Sequence, residues 1–90
     1  MRASVFNLFV LNVDEFSGLI EFAKSNPACQ VEDTGKGYTR ISAEGPMAFS
    51  RRELGFGPAI WYGAFTGGLD GTIVSFGRDE VVLDGREMAD

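Results

Sequence analysis

The chain contains no histidine and a single cysteine, Cys29. Without histidine the commonest general base is missing. So are the Ser-His-Asp and Cys-His nucleophile arrangements and most zinc and non-haem iron sites. One cysteine builds no intramolecular disulfide, no thiolate metal site and no dithiol redox pair, and it fits a reducing interior. Neither metal-dependent chemistry nor a cofactor is therefore expected. Long apolar runs are also missing, since none reaches the roughly 18 residues a membrane span requires. Val5 to Val13 is apolar, but Asn7 and Asn12 interrupt it and no small-residue cleavage site follows, so a secretory leader is not expected. Basic residues are few: eight Lys and Arg against thirteen Asp and Glu leave a formal net charge of -5. That balance argues against nucleic acid, whose affinity comes mainly from Lys and Arg on phosphates, and against an anionic membrane surface. It suits a cytoplasmic protein kept soluble by its charge, or one with a basic partner.

Phosphate-binding signatures are missing as well. Gly55-Phe56-Gly57 lacks the third glycine of a dinucleotide fingerprint, and Pro58 follows at once. Gly63 to Gly68 has the glycine spacing of a phosphate loop but no Lys-Ser or Lys-Thr after it. The acidic pairs Glu32-Asp33 and Asp79-Glu80 do not have EF-hand spacing.

What is present suffices for one small α+β domain spanning residues 1–90. A chain of this length buries roughly 60% of its unfolded surface. Its 44% hydrophobic content supports a core, which argues against wholesale disorder. Ser4 to Val13 is apolar on both alternating faces, the pattern of a central strand covered on both sides. Asn12 to Glu15 has the form of a helix start, with a capping Asn and a Glu three residues later. Phe16, Leu19, Ile20 and Ala23 then recur at helical period, predicting a helix from near Asp14 that ends by Asn26, before Pro27. Ala28 to Asp33 and Tyr38 to Glu44 predict a hairpin through the turn Thr34-Gly35-Lys36-Gly37. Met47 to Leu54 fits a short helix, although Met47 and Phe49 also share a strand face.

Ala59 to Thr66 is expected as a strand, with Trp61 and Phe65 on one face and Ile60 and Tyr62 on the other. A glycine-rich connection, Gly67 to Gly71, leads to a second hairpin, Thr72 to Phe76 and Glu80 to Leu83, turning through Gly77-Arg78-Asp79. The tail, Arg86 to Asp90, is expected to fray. The order is that of a mainly antiparallel sheet with one main helix. With the second helix it matches a ferredoxin-like split β-α-β unit carrying a C-terminal hairpin.

Half of the twelve glycines fall between Gly55 and Gly71, beside the only tryptophan. Glycine permits close backbone approach, and the interleaved rings supply buried area with polar tips. Phe56, Trp61, Tyr62 and Asp70 are the candidate binding residues of this segment. Arg51 and Arg52, the only basic pair, are candidates for a carboxylate or phosphate, which guanidinium grips in a two-pronged way, although beside Glu53 they also suit a solvated helix face. Asp70 is equally suited to a turn. The expected function is non-catalytic binding of another protein, as an accessory subunit, regulator or inhibitor. A small-molecule-binding or metal-independent enzymatic domain is the alternative, with Tyr38, Arg40, Tyr62, Trp61 and Asp70 as its residues. A homo-oligomer with the aromatic strand at its contact is the third reading.

Overall fold

The computed structural model describes residues 5–85. Its elements are β1 (Val5–Leu11), α1 (Ser17–Ser25), β2 (Cys29–Asp33), β3 (Tyr38–Glu44), β4 (Met47–Ser50), α2 (Arg51–Leu54), α3 (Pro58–Thr66), β5 (Leu69–Asp70), β6 (Thr72–Phe76) and β7 (Glu80–Asp84). A single 3-10 turn, Asp14–Phe16, leads into α1. The strands form a four-stranded sheet of order β2-β3-β1-β5 and a three-stranded sheet of order β4-β7-β6, with every pair antiparallel. Because β1 and β2 both run against β3, they are parallel to each other, and α1 joins them. This is the split β-α-β unit, which β5 completes on the far side of β1. The chain is α+β, as its pattern of elements implies.

The main helix follows its apolar stripe. Leu19 and Ala23 are buried, and Phe16 and Ile20 pack against the same core. Asn12 does not cap it. Its side-chain oxygen instead accepts from the hydroxyl of Thr39 on β3, so the helix starts without a side-chain cap. The helix stops at Asn26, which is extended before Pro27.

Two elements differ from expectation. Ala59 to Thr66 is helix, not strand. Pro58 sits at its first position, where a missing N–H costs nothing, and Trp61, Ala64 and Phe65 bury one face at i, i+3 and i+4. Met47 to Leu54 divides: Met47–Ser50 pairs with β7, and only Arg51–Leu54 is helical. The Ser50 hydroxyl faces the Glu53 amide at 3.5 Å, and Gly55, at φ 72°, closes that turn in the left-handed conformation. Both hairpins form where expected. The Gly67 to Gly71 connection contains β5, which pairs Leu69 with Leu8 and Asp70 with Asn7. At Gly71 the chain crosses from one sheet to the other so tightly that a Cβ would lie 2.8 Å from that of Phe6. The expectation for Arg86 to Asp90 falls outside the described residues.

One core joins the two sheets. Phe6, Leu8 and Ile41 come from the first sheet, Phe49, Val81 and Leu83 from the second, and Leu19 and Phe65 from the helices; all are fully buried. Phe49 is the hub, with its ring 6.3 Å from Phe6, 5.8 Å from Phe22 and 5.3 Å from Phe65. Burying each such ring contributes roughly 1.5–3 kcal/mol. Among the described residues nothing covers the outer face of β1, contrary to its sequence pattern. Val5, Phe9 and Leu11 are 47%, 38% and 43% exposed. No helix among the described residues is long and apolar enough to cross a membrane.

Candidate functional site

The aromatic-glycine segment divides between core and surface. Adjacent residues on a helix point about 100° apart, and α3 uses that angle to separate Trp61 from Tyr62. Trp61 is 3% exposed. Its Nε1 donates to the Gly77 carbonyl at 2.9 Å, which satisfies the one polar atom of the indole. Its ring meets Phe65 and Phe76 edge-on, at 5.0 and 5.7 Å. Phe56 is also buried, edge-on to Phe16. Tyr62 is 64% exposed, with its ring tilted at 40° against Phe76, 5.6 Å away. Phe76 in turn faces Phe65 at 6.2 Å. Tyr62 is thus the open end of a ring cluster whose other members reach the core.

The arginine pair divides too. Arg51 sends Nε and Nη2 to one carboxylate oxygen of Asp79, at 3.1 and 2.8 Å, and Nη1 to the Phe56 carbonyl at 2.9 Å. Its backbone amide donates to the Asp79 carbonyl. All three guanidinium nitrogens are occupied, so Arg51 is a clasp between α2, the segment at Phe56 and the β6–β7 turn. Arg52 is exposed and forms no ion pair among the described residues. Asp70 lies opposite Asn7 in register, on the outer side of the four-stranded sheet. The six candidates therefore do not converge on one site: Tyr62 stands alone at the surface of α3, and Asp70 belongs to a different face.

A second surface is the outer face of the four-stranded sheet. Strand alternation places Val5, Asn7, Phe9 and Leu11 there from β1, opposite Glu44, Ser42, Arg40 and Tyr38 of β3. Polar residues across the middle are mutually satisfied. Ser42 donates to Asn7 Oδ1 at 2.7 Å, and Arg40 pairs with Glu32 of β2 at 2.6 Å. Tyr38 is 44% exposed. Beside it, Phe9, Thr34, Lys36 and Tyr38 line a shallow groove of about 430 Å³. Antiparallel sheets with one solvated face usually turn polar residues outward, and β1 departs from that. The signal was visible in the two apolar faces of β1, but an expected cover within the chain accounted for it.

Cys29 is half-buried, with its sulfur 3.8 Å from the Met47 sulfur. Burial pushes its thiol pKa up, the reverse of an activated nucleophile. Among the described residues no group of three or more His, Cys, Asp or Glu is placed to hold a metal ion. Compared with known proteins, the chain matches no family model and no curated sequence.

Proposed function

We propose that the protein acts by binding another protein, with Tyr62 as the anchor. The observation that carries this reading is the seat of that ring. Tyr62 is largely exposed, yet it leans on Phe76, which Trp61 and Phe65 hold from behind. A ring supported in this way loses little freedom when a partner covers it. Tyrosines of this kind, apolar in body and polar at the tip, are enriched among residues that dominate binding energy. The net charge of -5 would steer a basic partner, and the steering would weaken as salt rises.

The test is affinity capture from the native source with the wild-type chain and with Tyr62→Ala, followed by titration of whichever stoichiometric partner is recovered. Tyr62→Ala should weaken binding by about tenfold or more, roughly 1.4 kcal/mol. Its melting temperature should stay within a few degrees of wild type. Trp61→Ala is the control for the buried neighbour, and should cost about 3–5 kcal/mol of stability. A partner that binds wild type and Tyr62→Ala equally would refute the reading.

A further inference from the structure

We infer that the outer face of the four-stranded sheet pairs with the same face of a second copy of this chain, the strands of the two copies running antiparallel. The first support is the composition of β1. Its outer residues Val5, Phe9 and Leu11 are as apolar as a covered strand requires, yet nothing among the described residues covers them. With Tyr38 beside Leu11 they form an apolar band along the strand, broken only at Asn7, whose side chain is taken up by Ser42.

The second support is charge, and it selects both the occupant and the orientation. Glu44 lies at the Val5 end of the band. Lys36 lies at the other end, against Phe9 and Tyr38. The two groups in the middle, Arg40 and Glu32, neutralise each other. A face whose described residues are acidic at one end and basic at the other complements itself when reversed end for end. A two-fold axis lying between the sheets and running across the strands makes that reversal. It sets Val5 over Leu11 of the second copy, and Glu44 over that copy's Tyr38 and Lys36.

The alternative axis, along the strands, leaves the two copies of Glu44 at the same end. With sheets about 10 Å apart and neighbouring strands about 4.8 Å apart, they would sit roughly 11 Å from each other. The favoured axis separates them by the length of the strand. Six residues at about 3.4 Å each give roughly 20 Å, about twice the separation under the alternative axis. Sheets packed face to face with nearly aligned strands are a standard sandwich geometry, so the pairing demands no change in backbone.

The experiment is sedimentation equilibrium of the full chain across a concentration range. Wild type should be a dimer. Phe9→Glu, at a partly exposed site, should weaken dimerisation at least tenfold while its circular dichroism and melting of the monomer remain native. Glu44→Lys and Lys36→Glu should each weaken it, and the double variant should recover to within about threefold of wild type, because the two charges exchange places across the axis. Tyr62→Ala should dimerise as wild type does, so this inference and the proposed partner site fail separately. A wild-type chain that stays monomeric at all concentrations overturns the inference, whether another segment or a different protein then covers the face. A dimer indifferent to Phe9→Glu overturns it too, as does loss in both single charge variants without recovery in the double.

Discussion

Gly18 and Gly63 are both helical glycines, and the structure assigns opposite signs to the same substitution at the two. Replacing glycine by alanine in a helix interior removes backbone freedom from the unfolded chain and stabilises by roughly 0.5–1 kcal/mol where nothing obstructs the new methyl group. At Gly63, on the exposed side of α3, nothing lies within 4 Å of the added Cβ. Gly63→Ala should therefore realise that gain. At Gly18, near the start of α1, the Cβ would collide with the Leu54 carbonyl oxygen and sit 3.5 Å from the Phe56 ring. The obstacle is backbone, so α1 and the end of α2 must part, which costs about 1–3 kcal/mol for inserted core volume. With backbone as the obstacle the cost falls in the upper part of that range, about 2–3 kcal/mol, and exceeds the propensity gain, so Gly18→Ala should destabilise by about 1–2 kcal/mol net. At about 4–8 °C per kcal/mol for a domain of this size, melting followed by circular dichroism should move in opposite directions for the two variants. The Gly18 variant should melt lower by roughly 4–16 °C and the Gly63 variant higher by a few degrees. If Gly18→Ala melts above wild type, the close packing of α1 on the end of α2 is wrong, and so is the burial of Leu54 and Phe56 that depends on it.

Arg51→Met keeps the aliphatic stem but removes the clasp on Asp79 and the Phe56 carbonyl, and should cost about 1–2 kcal/mol, a charged hydrogen-bond set discounted for the exposure of Asp79; Arg52→Met should stay within about 0.5 kcal/mol, and equal effects in urea titrations would remove the distinction between the two arginines. Burial of the Cys29 thiol raises its pKa, so alkylation by iodoacetamide should keep accelerating with pH beyond the point where an ordinary thiol levels off. The folded state holds this proton more tightly than the unfolded chain does. Its contribution is therefore full below the unfolded thiol pKa and declines as pH rises past it; a labelling rate that levels off at or below the ordinary thiol value would contradict the burial.

What the chain disclosed in advance was its periodic part. α1 and both hairpins follow directly from apolar spacing and turn residues, because each buries one face against a single core. α3 was hidden by composition. Ile60, Trp61, Tyr62, Phe65 and Thr66 are all residues enriched in strands, and Gly63 lowers helix propensity. Yet Pro58 and the i, i+3, i+4 spacing of Trp61, Ala64 and Phe65 carried the helical signal. Two residues of β5 cannot be read locally at all, since they become a strand only because the tight crossing at Gly71 brings them beside β1. The same holds for Arg51, whose guanidinium is taken by Asp79, 28 residues further along. Of the candidate binding residues, Tyr62 was legible as an aromatic with a polar tip. That Trp61 and Phe56 lie inside is a consequence of helix geometry, because a helix turns neighbours about 100° apart.

The two proposed surfaces are carried by different elements, Tyr62 by α3 and the apolar face by β1 and β3, and that placement has a consequence for how they work together. α3 turns Phe65 towards Phe49, and Phe49 meets Phe6 on the inner side of β1. Tyr62, about 60° round the same helix from Phe65, leans on Phe76 of the second sheet, whereas the outer face belongs to the first. A dimer formed through that surface leaves both copies of Tyr62 open, so the assembly would present two anchors related by a two-fold axis. A partner with one complementary site would gain nothing from the second anchor, whereas a two-fold partner would engage both. Its second contact would then be intramolecular, which can raise overall avidity by about 10²–10⁴ without any new interaction. Phe9→Glu would forfeit that gain while leaving one-to-one affinity intact, and Tyr62→Ala would reduce one-to-one affinity while leaving the dimer intact. The outer face would thus set how many anchors are presented, and α3 what each of them grips.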